Sequence, residues 1–124
     1  MSYLPNIAAR TFTTHGVVFN SFASSATGAQ RLGVWRADFS PQTPGLAHTM
    51  TEEEVLHVLE GELDNEIAEQ AFTAGAGDAV LVPAGAQFRV SNSSDLPARA
   101  WVVTTLGMNA EMLSGEALSP PWAQ

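Results

Sequence analysis

The stretch Gly77 to Asn92, GDAVLVPAGAQFRVSN, decides how the rest of this chain is read. Two short runs, Ala79 to Val82 and Gln87 to Asn92, flank a turn signal at Pro83-Ala84-Gly85. In the second run Gln87, Arg89 and Ser91 alternate with Phe88 and Val90. Alternation at period two belongs to a strand with one buried face, so Phe88 and Val90 are expected to face an interior.

Working outward, the same pattern predicts strands over Thr11 to Phe22, Arg31 to Phe39, Glu54 to Glu66, Ala71 to Thr73 and Arg99 to Leu106. Turn-forming segments such as Ser40 to Gly45 (SPQTPG) and Ser93 to Pro97 (SSDLP) separate them. Short strands at this spacing, in a chain of 124 residues, predict one all-β domain over 1–124, a barrel or a sandwich. Trp35, Ala37 and Phe39 share a face expected to look inward, with Arg36 and Asp38 opposite. Arg36 and Arg89 fall in the barrel wall, Arg36 being the one that could approach an anionic ligand, with pairing to Asp38 as the plainer expectation.

The run Glu54 to Glu60 is apolar on both faces, Leu56 and Val58 on one and Val55 and Leu59 on the other. That predicts a strand buried on both sides, the outer one under a second protomer, and so a homodimer. The tail from Met108 is expected to form one helical turn before Pro120 and Pro121 extend it. Trp122 must then bury itself over the barrel mouth or on a neighbour.

Composition excludes several kinds of chemistry. The chain has 13 acidic residues against five basic ones, for a formal net charge of -8, and all five basic residues are arginines. Without lysine there is no Schiff-base chemistry, and without cysteine there is no disulfide, thiolate ligand or thiol nucleophile. The acidic balance opposes nucleic acid and anionic lipid. No apolar stretch approaches the ~20 residues of a membrane span, so a soluble cytoplasmic protein is the expectation.

A second segment, Ala47 to Gly61 (AHTMTEEEVLHVLEG), carries His48, Met50 and Glu54. Together with GDAVLVPAGAQFRVSN it resembles the two motifs of the cupin family. His48, Glu54 and Gly61 stand at first-motif positions, with Met50 in place of the second histidine and the leading glycine displaced to Gly45. Gly77, Pro83, Gly85 and Asn92 stand at second-motif positions, with Phe88 in place of the histidine. The resemblance spans about residues 30–107 and implies an antiparallel β-barrel of the double-stranded β-helix, or jelly-roll, type.

In metal-binding cupins the motif histidines and the glutamate hold a divalent transition metal. Only His48 and Glu54 of that set remain here, and they are the ligands this chain would contribute if one is bound. A thioether suits soft Cu(I) and a phenyl ring ligates nothing, so the expectation is a degenerate site with no metal cofactor. His57, three residues from Glu54, points to the opposite strand face and cannot replace the missing ligand without a bulge.

His48 and Glu54 form a candidate proton-transfer pair, and the plainer alternative is that they hydrogen-bond each other. Met50 and Phe88 are candidate pocket lining, with simple core filling as the alternative. With Leu56 and Val90 from the same inward faces, the candidate ligand-binding set is His48, Met50, Glu54, Leu56, Phe88 and Val90. Three functions follow: binding of a small, partly apolar molecule without metal; an enzyme of oxygenase, isomerase or cyclase type, metal-dependent or acid/base; or a structural or regulatory homodimer with a filled barrel. The first is the reading adopted.

Overall fold

The computed structural model describes residues 2–124. Twelve strands form two antiparallel sheets of six. The first runs β1-β2-β3-β10-β5-β8, built from Arg10–Thr14, Val17–Ala23, Leu32–Phe39, Ala98–Thr105, Glu54–Glu60 and Ala79–Val82. The second runs β12-β11-β4-β9-β6-β7, from Ala117–Leu118, Ala110–Met112, His48–Met50, Phe88–Ser91, Glu62–Ile67 and Gln70–Gly75. The sheets face each other as a jelly roll, and the core lies between them.

The period-two faces fall as the sequence predicts. Trp35, Ala37 and Phe39 of β3 and Phe88 and Val90 of β9 are buried, and they pack with Leu56, Val58, Val82, Ala100 and Val102. Arg36 lies on the other face of β3, where its Nε is 3.3 Å from Asp38, and Arg99 Nε bonds the same carboxylate at 2.7 Å. The ion-pair expectation for Arg36 therefore holds.

The predicted strand Thr11 to Phe22 is two strands, because His15 and Gly16 take positive φ and reverse the chain. Glu54 to Glu66 likewise breaks at Gly61, where φ is +74° and a Cβ would lie 2.5 Å from the Pro97 carbonyl oxygen. Only glycine fits that turn. A short strand over His48–Met50, absent from the sequence reading, pairs with β9 and places His48 opposite Phe88.

Two further expectations need correction. The tail forms no helical turn before Pro120; Ala110–Met112 and Ala117–Leu118 pair as a hairpin, and a 3-10 turn covers Pro121–Ala123. The outer face of β5 is not buried in the chain: Val55, His57 and Leu59 are exposed. One chain covers only the Glu54, Leu56 and Val58 face.

The landmarks of GDAVLVPAGAQFRVSN, Phe88 apart, are scaffold. Asp78 Oδ2 accepts the Gly75 N–H at 2.9 Å, and the Gly85 N–H donates to the Met50 carbonyl at 2.8 Å. Buried Asn92 donates to the Ser40 and Leu96 carbonyls, while its Oδ1 accepts from the Ser94 backbone and hydroxyl. A buried amide satisfied on both ends locks two loops together.

Candidate functional site

Between the sheets lies a cavity of about 590 Å³. Its size is that of a small-molecule site, and it lies beside the packed core between the sheets. All six residues of the candidate ligand-binding set, His48, Met50, Glu54, Leu56, Phe88 and Val90, line it.

Strand order explains the gathering. In the first sheet β5 carries Glu54 and Leu56 inward, next to Val102 of β10. From the second sheet β4 and β9 bring His48, Met50, Phe88 and Val90 to the facing wall. His48 and Phe88 rings pack at 4.4 Å between centroids, tilted by 52°. Gly45, at φ +68°, lets the chain enter β4 hard against the Val90 carbonyl, where any Cβ would collide. The displaced glycine thus has a structural role in positioning His48.

Glu54 is almost wholly buried, and no group hydrogen-bonds its Oε1. Burial alone pushes its pKa from 4.5 up to about 8, since the charged form is poorly solvated there. The carboxyl is therefore mostly protonated at neutral pH.

His48 does not bond to Glu54; its Nδ1 lies 2.8 Å from the Leu46 carbonyl oxygen. A carbonyl can only accept, so Nδ1 carries the proton and the neutral ring presents Nε2 as an acceptor. Burial lowers the His48 pKa, outweighing that backbone bond. The expectation of a mutually satisfied His48 and Glu54 pair is thereby corrected.

The mouth is where sequence reasoning fell short. His15 from the β1–β2 turn and Glu116 and Leu118 from the tail hairpin line the cavity, and none was singled out as a site residue. Trp122 takes the first of its two expected places. It stacks on Phe19 at 3.8 Å and 3°, and its carbonyl accepts the Ser21 hydroxyl at 2.6 Å. The only sequence signal for this wall was that burial demand.

The donor set does not suit the family's metal. Among the described residues no three His, Cys, Asp or Glu side chains converge as a metal site. The Phe88 ring occupies the place of a ligand beside His48, and His57 is exposed on the outer face as strand parity required.

Fold and cavity together define a small jelly-roll protein with a ligand-sized interior. The cupin-domain family profile matches residues 35–104, more than half of the chain, and the chain belongs to the cupin family. No curated protein matches it by sequence.

Solved structures share the fold at low identity. The polyketide cyclase RemF from Streptomyces resistomycificus is 18% identical, with a TM-score of 0.76 over 85% of this chain and 79% of that one. A sugar phosphate isomerase of the cupin superfamily from Silicibacter pomeroyi is 20% identical, with a TM-score of 0.73 over 96% and 92%. An RmlC-like cupin from Shewanella frigidimarina is 14% identical, with a TM-score of 0.74 over 85% and 90%. No helix among the described residues is long and apolar enough to cross a membrane.

Proposed function

We propose that this cupin binds a small, largely apolar molecule in its interior without a metal, using His48 and Glu54 to orient a polar group. The observation that carries this is the cavity of about 590 Å³, apolar over most of its wall, into which an unpartnered carboxyl and a neutral imidazole are set. Sugar phosphates, the substrates named for the Silicibacter neighbour, suit it poorly. No arginine lines the cavity and the chain has no lysine, so a phosphate would enter without a counter-ion.

Trp35 and Trp122 line the cavity, so occupancy is readable in their fluorescence. A screen of small aromatic compounds should yield saturable quenching in the native chain. Ala37→Trp, which fills the cavity from β3, should weaken the same ligand by at least ~30-fold, since an occupied pocket has no room to give. Equal binding by that variant would place the ligand elsewhere and sink the proposal.

A second reading, metal-free acid/base catalysis, is favoured by the pairing of a protonated Glu54 with an unprotonated His48 Nε2 in one enclosure. A bound compound that is turned over, with turnover lost in both His48→Ala and Glu54→Gln while binding of product persists, would establish it. Binding without turnover leaves the first reading.

We also propose that the chain self-associates through the outer face of its first sheet. Val34, Val103, Val55 and Leu81 form one apolar row across β3, β10, β5 and β8. An uncharged row lets two copies of an acidic chain meet without opposing their carboxylates. Sedimentation velocity should show a dimer for the native chain and a monomer for Leu81→Glu with Val55→Glu; a native monomer at ~100 μM would refute this.

A further inference from the structure

The cavity's polar and aromatic inventory goes further than "small and apolar", and the inference drawn from it rests on the pocket reading above. Six of the chain's ten aromatic side chains, Phe12, Phe19, Trp35, Phe39, Phe88 and Trp122, line this one space. No cationic side chain of the fixed kind faces it. The two carboxyl groups that do are Glu54 in the interior and Glu116 at the exposed rim.

The polar atoms of the interior are acceptors or can become so. Glu54 Oε1 is buried without any donor, an arrangement that costs free energy unless something supplies one. His48 has committed its only N–H to the Leu46 carbonyl, which leaves Nε2 as a lone-pair acceptor. The strands flanking Glu54 offer no compensating charge, since its neighbours in register are Val82 on β8 and Thr104 on β10. The Thr104 hydroxyl is committed to the Glu53 carbonyl at 2.7 Å. Besides Glu54, the titratable groups of the cavity wall are His48, His15 and Glu116.

A cavity lined by aromatic side chains and an orphaned carboxyl, with acceptors and no built-in cation, is complementary to a positive charge on an apolar body. Ring faces attract a cation, most strongly when both are desolvated. The chain's net charge of -8 adds a field that draws cations and repels anions. We propose that the ligand class is the small organic amine, its ammonium donating to Glu54 and to His48 Nε2 while its aryl or alkyl body packs among the rings.

Three indoles that share a two-carbon linker and differ at the tip test this: tryptamine, tryptophol and indole-3-propionate, each titrated calorimetrically into the native chain and Glu54→Gln at about pH 8. Tryptamine, charged until about pH 10 as a primary amine, should bind at least ~10-fold tighter than tryptophol, with indole-3-propionate weakest. In Glu54→Gln the amine should lose at least ~10-fold and the alcohol less than ~3-fold, which separates the interior carboxyl from the acidic surface. The ranking in the native chain stands even if that variant fails to fold. Alcohol or acid binding as tightly as the amine would overturn the amine class and leave the pocket reading intact. Failure of all three to bind would overturn both.

Discussion

Glu54→Gln is expected to flatten the alkaline side of the stability profile. The sign follows from which state holds the proton. Burial raises the folded-state pKa of Glu54 from 4.5 to about 8, so between those values the folded chain keeps a proton that the unfolded chain has lost. Stability contributed by the neutral carboxyl is full below pH 4.5 and declines as pH rises towards 8. The slope approaches about 1.4 kcal/mol per pH unit, so the native chain should lose on the order of 2 kcal/mol between about pH 6.5 and pH 9. His48 acts in the opposite sense and at lower pH. Its pKa is depressed below 6.5 by burial, so its contribution is lost as pH falls, outside this window. Urea midpoints at about pH 6.5 and pH 9 check the effect. The native midpoint should fall and that of Glu54→Gln should hardly move; parallel profiles would mean that the carboxyl is solvated or paired.

Met50→His combined with Phe88→His is expected to complete a four-donor metal centre, where the described residues of the native chain bring no three His, Cys, Asp or Glu side chains together. His48 faces Phe88 across the β4–β9 pairing, Met50 lies two residues along on β4, and Glu54 reaches the same cavity. The double variant would bring three imidazoles and one carboxylate together, enough donors for Zn(II) or Ni(II). Trading the buried Phe88 ring for imidazole should cost on the order of 2 kcal/mol without metal. Metal should then restore stability, and affinity should exceed that of the native chain by at least ~1,000-fold. A chelator-reversible rise in Tm in the double variant alone is the predicted result. No rise would mean that the four positions do not converge.

How much of this was legible in the sequence depends on how locally each feature is determined. The inward faces of β3 and β9 follow from alternation, and Phe88, Trp35, Ala37 and Phe39 are buried as that pattern requires. The His48, Met50, Glu54, Leu56, Phe88 and Val90 wall was legible because motif spacing and strand parity act together. Gly61 was visible, but its effect was not: the chain turns there at a φ of +74°, and the carbonyl that leaves no room for a side chain belongs to Pro97, far along the chain. Long-range packing also hid the mouth. His15 meets the cavity only because β1 and β2 form a hairpin, and Glu116 only because the tail folds back as β11 and β12 beside β4.

The apolar outer face of β5 shows the opposite limit. Val55 and Leu59 have the composition of buried residues, and the single chain leaves them exposed. Pattern reports what a face prefers, while a fold reports what one chain can cover.

We expect this cupin cavity to engage its ligand through its own side chains and not through a bound metal. Elemental analysis by mass spectrometry tests it most directly. Untagged protein would be purified without chelator and offered Fe, Mn, Ni, Cu and Zn separately, with His48→Ala and Glu54→Ala alongside. No metal above background in the native chain is the expected result. Near-stoichiometric metal in the native chain, lost in both variants, would contradict it and turn the pocket into a metal centre.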